Sequence, residues 1–71
     1  MSPLYIADLA LEYWRASGVR SLERLEHMVV WAAETEYGHG TARTLEEIPS
    51  AQRLAVAKVR SWELQTSRKT A

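Results

Sequence analysis

The chain has no cysteine and no phenylalanine, and its 71 residues include only three glycines and two prolines. Without cysteine there is no disulfide framework, no redox pair and no thiolate zinc site, the staples on which many chains of this length rely. The scarcity of glycine and proline excludes a low-complexity linker, and a hydrophobic content of 46% excludes a disordered segment. No uncharged stretch approaches the roughly 20 apolar residues of a membrane span. The first residues carry no basic segment, and Asp8 and Glu12 interrupt the apolar run, so no secretory signal is expected. These exclusions leave one small cytoplasmic domain, expected over residues 1–66, with 67–71 as a frayed polar tail.

Local signals divide the chain into three helices, expected at about 2–17, 21–37 and 50–66, with no strand periodicity and no internal repeat. Ser2 before Pro3 reads as an N-cap with proline at the first helical position, where the missing N–H costs nothing. Gly18 ends that helix, Ser21 caps the second, and Gly38 is expected to end it in the left-handed conformation. Residues 38–43 read as a loop, Thr44-Leu45-Glu46-Glu47 as a capping box for a short turn before Pro49, and Ser50 as the cap of the third helix. The fold class is therefore all-α, a small three-helix bundle.

Such a bundle is marginal by itself. Ordering the backbone and side chains costs on the order of 105 kcal/mol, while burial of roughly 7,200 Å², about 60% of it apolar, offsets nearly the same amount. Self-association or a partner protein is the expected source of the remaining stability.

Helix 1 carries the strongest hint of such a contact. Its polar residues Asp8, Glu12 and Arg15 fall on one narrow stripe and leave an apolar arc of about 240° at 100° per residue. Leu4, Ala7, Leu11 and Trp14 are expected to face the other helices, and Tyr5, Ile6, Leu9 and Tyr13 to face a partner. Helix 2 has a core stripe of Leu22, Leu25, Met28, Val29, Ala32 and Ala33, but Trp31 points away from it among Glu23, Arg24, His27 and Glu34. A tryptophan in a polar rim is the residue type most enriched at binding hot spots. Tyr5, Leu9, Tyr13 and Trp31 are thus the candidate partner-binding residues.

Helix 3 is expected to pack through Ala51, Leu54, Ala55, Val59 and Trp62. Residues 50–71 hold five basic side chains and one acid, a balance of +4, against −4 for residues 1–49, so the zero net charge hides a dipolar chain. This asymmetry fits intramolecular pairing, an antiparallel homodimer or a basic element facing nucleic acid. Arg53, Arg60, Arg68 and Lys69 are the candidate nucleic-acid contacts in an alternative reading as a small DNA-binding regulator. A helix-turn-helix around Ala16-Ser17-Gly18-Val19-Arg20 fits poorly, because Trp14 stands where a small residue is needed and helix 2 presents Glu23 and Glu26 to phosphate.

Catalytic chemistry finds no foothold. Glu23, His27 and Glu34, with Glu36 and His39 nearby, have metal-like spacing but lie on a polar face rather than in a core, so no metal is expected. The single Asp is not combined with Ser and His in a nucleophile motif, and Gly38-His39-Gly40 lacks the lysine and strand of a phosphate loop. No enzymatic activity and no cofactor are expected. Seven arginines against two lysines, with abundant alanine, point to a GC-rich bacterial or phage genome. A reading frame of this size with its own initiating Met fits an accessory, regulatory or inhibitory protein acting by surface occupation, on itself as a homodimer or on a larger protein.

Overall fold

The computed structural model describes residues 2–70, and side chains over residues 2–65. It is a three-helix bundle of α1 (Pro3–Ser17), α2 (Leu22–Tyr37) and α3 (Ala42–Thr70), each packed against the other two. The chain runs up, down and up. Asp8 and Arg15 of α1 meet Lys58 and Trp62 of α3 in the same order, whereas Glu26 and Tyr37 of α2 meet Gln52 and Arg43 in reverse.

The caps follow local chemistry. Ser2 precedes Pro3 in an extended conformation, and its carbonyl, not its side chain, closes the first turn by accepting from Tyr5 N at 3.0 Å. Gly18 ends α1 with φ 77° and ψ −7°, the left-handed geometry that glycine adopts without steric cost. Ser21 Oγ accepts from Arg24 N at 3.1 Å and caps α2. Gly38 departs from expectation: its φ of 98° is positive, but ψ is 151°, so the chain leaves α2 extended rather than in a left-handed turn. A side chain at Gly38 would also press on Thr41 Cγ2, 3.3 Å from an ideal Cβ.

The third helix begins eight residues before the expected Ser50. Thr41 is its cap: Thr41 Oγ1 accepts from Thr44 N at 3.2 Å, and the Thr41 carbonyl accepts from Leu45 N at 3.1 Å. Thr44, read from sequence as the cap, is instead a buried helical residue whose hydroxyl donates to the Gly38 carbonyl at 2.8 Å. Pro49 lies inside the helix and does not end it. It removes the amide that would bond the Leu45 carbonyl, a defect costing about 3 kcal/mol in an ordinary helix interior. Leu45 lies on the exposed side, where water can solvate that carbonyl, and burial of Thr44 below and Ala51 and Ala55 above holds both halves of α3 in line.

Among the described residues, half of the twelve buried apolar side chains are alanines: Ala7, Ala10, Ala32, Ala33, Ala51 and Ala55. Small side chains let the helices approach closely around Ile6, Leu11, Trp14, Leu25, Val29 and Val59. The buried face of α1 is centred between the two halves assigned from sequence. Ile6 is fully buried, whereas Leu4 is 46% exposed. The reason is that α1 contacts both α2 and α3, so the middle of its apolar arc, around Ala10, points inward and each edge points out. Leu22 and Leu54, expected in the core, likewise stand at the edges of their helices and are exposed.

Candidate functional site

The apolar edge of α1 that remains outside carries Tyr5, Leu9 and Tyr13, one above another at four-residue spacing. Over eight residues this strip runs about 12 Å along the helix. Tyr5 and Tyr13 are each 44% exposed, and Leu9 is half-buried against the core. The adjoining edge of α2 contributes Trp31, 47% exposed, and half-buried Met28.

Tyr13 and Trp31 meet across the α1–α2 boundary with ring centroids 4.8 Å apart and planes at 84°. Edge-to-face packing of this kind holds both rings in place while leaving much of their surface in water. The four residues read from sequence as partner-binding thus gather on one face spanning two helices. The ring that meets Trp31, among the described residues, is that of Tyr13 on α1. Among the described residues, neither phenol hydroxyl of the face nor the indole N–H of Trp31 has a hydrogen-bond partner. Trp14 has a structural role instead: it is buried and its indole N–H donates to the Ser21 carbonyl at 2.9 Å, fastening the α1–α2 turn.

Arg53 and Arg60 occupy a different face. Both line an open groove of about 670 Å³ along the outer side of α3, beside Pro49, Gln52, Val56 and Leu64, with Glu26 of α2 at its edge. Gln52 Nε2 donates to the Glu26 carbonyl at 3.2 Å and joins the two helices at the groove's edge. The side chains of Arg68 and Lys69, the other two candidate nucleic-acid contacts, lie outside the described residues. Val56 and Leu64 carry no such mark in the sequence, although their seven-residue spacing from Pro49 and Ala57 places them beside the two arginines.

Glu34 pairs with exposed His39, and among the described residues no three of His, Asp and Glu converge as metal ligands. Where α2 meets the start of α3, Arg43 lies over the Tyr37 ring, 4.5 Å from its centroid, with Arg43 Nε 3.7 Å from Glu47 Oε1. Burial, and secondarily the nearby Glu47 carboxylate, raises the Tyr37 phenol above its usual pKa of 10.0. This cluster packs the corner where α2 meets the start of α3.

The class defined by the fold is a small all-α three-helix bundle, and among the described residues no helix is long and apolar enough to cross a membrane. No family model, curated protein or solved structure matches the chain.

Proposed function

We propose that this protein is a small non-enzymatic interaction protein, accessory, regulatory or inhibitory, that acts by covering a protein surface with the Tyr5–Leu9–Tyr13–Trp31 face. The observation that carries this reading is the Tyr13–Trp31 pair, in which two large aromatic side chains are ordered against each other yet nearly half exposed. Ordered aromatics lose little conformational entropy on docking and carry a large apolar contact area, the properties of binding hot spots. The core favours the same reading, because alanine, whose side chain has little apolar surface to bury, supplies half of its buried apolar residues. The first partner to consider is a second copy, and the next is a larger protein.

Sedimentation equilibrium at micromolar concentration tests the first partner. A dimer that Tyr13→Ala and Trp31→Ala convert to a folded monomer supports self-association through this face. A wild-type chain that is monomeric throughout removes the homodimer. The wider reading fails if, in a pull-down from the native host, no protein is captured in a way that depends on Tyr13 and Trp31.

A further inference from the structure

We propose that the groove along the outer side of α3, edged by Glu26 of α2, is a second docking site, and that its occupant is an acidic amphipathic helix of a partner protein. The groove lies along α3 from Pro49 to Leu64, on a different edge of α2 from Trp31. Its α3 wall repeats every seven residues: Pro49 and Val56 form one column, Arg53 and Arg60 the next, and Ala57 and Leu64 a third. Two guanidinium groups therefore rise between two apolar columns, about 10.5 Å apart along the axis. Heptad spacing is the repeat that a second helix laid alongside presents in return, and here its charged column would run between two apolar ones.

Charge determines the sign of the occupant. Among the described residues Arg60 has no ion-pair partner, and Arg53 reaches only the Ser50 hydroxyl, at 3.5 Å. Two carboxylates seven residues apart on a helix would each meet one guanidinium, in a setting partly dried by Val56 and Leu64 where bidentate pairing is strong. Glu26 on the α2 rim makes the opposite demand, for a basic or neutral residue on that flank. The same features disfavour a nucleic-acid backbone, because the floor is apolar and the rim carries a carboxylate. Leu64 is 64% exposed and Val56 half-buried, so a docked helix has apolar surface to cover.

The test is selection of 16-residue random peptides displayed on phage against the immobilised full chain, followed by fluorescence anisotropy with the enriched peptides. The expected consensus has two acids seven residues apart with apolar residues three and four positions from each. Arg53→Glu/Arg60→Glu should weaken these peptides at least tenfold, and replacing the peptide's two acids with lysine should restore binding to that variant. Both arginines are exposed, and circular dichroism verifies that the variant folds. Tyr13→Ala/Trp31→Ala should leave peptide binding unchanged, which separates this site from the aromatic face. Three results would overturn the proposal: enriched peptides without the acid pair, peptides indifferent to the double reversal, or a labelled duplex DNA binding more tightly than any of them. Loss of self-association in the double reversal would also overturn it, by making a second copy the occupant.

Discussion

Trp14 and Tyr13 are neighbours in the sequence with opposite duties. Trp14 fills the core and spends its N–H on the Ser21 carbonyl, while Tyr13 stands half in water against Trp31. Truncation should separate the two. Leu11→Ala and Trp14→Ala are expected to cost the fold about 2–5 kcal/mol each in urea denaturation, as buried side chains leaving cavities. Tyr5→Ala and Tyr13→Ala should cost the fold much less and weaken association more. Equal losses of stability for both pairs would erase the distinction between core and face. Tyr37 gives a pH prediction. Its folded pKa lies above the unfolded value of 10.0, so the folded chain holds the phenol proton more tightly. Its contribution is fully present below pH 10.0 and is lost as pH rises through the folded value. Tyr37→Phe should therefore lose less stability than wild type between pH 9 and pH 11, in denaturant titrations made at each pH. Parallel alkaline losses in the two proteins would contradict the assignment.

At the scale of the element, α3 is the informative case. Its sequence holds a capping box at Thr44 and a proline at position 49, both of which read as the boundary of a short turn. The helix nevertheless runs unbroken from Ala42 to Thr70, because Thr44, Ala51 and Ala55 pack on one face and the carbonyl orphaned by Pro49 lies on the other. Pro49→Ala should restore the hydrogen bond to Leu45. The expected gain is about 2 kcal/mol, which is the ~3 kcal/mol defect less the up to about 1 kcal/mol of entropy that proline removes from the unfolded chain. Thermal denaturation followed by circular dichroism measures it, and a loss of stability would mean that the proline is needed where it stands.

At the scale of the whole molecule, α3 at 29 residues is nearly twice as long as α1 or α2, and the bundle measures 45 × 20 × 17 Å. The aromatic face and the arginine groove flank α2 on different sides, which makes the molecule two-sided. Salt distinguishes the sides. Association through Tyr5, Tyr13 and Trp31 should change little in affinity between 50 mM and 500 mM salt, because apolar burial dominates it. A DNA-binding protein using Arg53 and Arg60 would lose affinity steeply over the same range through counterion release. Tight duplex binding at physiological salt that Arg53→Glu/Arg60→Glu abolishes would establish the nucleic-acid reading in place of the interaction protein.

The sequence alone determined the all-α class and the α1–α2 hairpin, because Pro3, Gly18 and Ser21 act within a few residues of themselves and need no tertiary partner. It also put Tyr5, Leu9 and Tyr13 on one line of α1 and Trp31 off the core stripe of α2, since helical spacing alone sets those positions. Only the tertiary structure decided which part of α1's wide apolar arc is buried. Ile6 turned inward and Leu4 outward because α1 is wedged between two helices rather than laid on one. Pairwise packing also decided that Trp31 meets Tyr13, that Leu22 and Leu54 stay at the edges, and that α3 continues through Pro49. A helix boundary at a proline is a balance between a local defect and burial on either side, and burial depends on where the other helices lie.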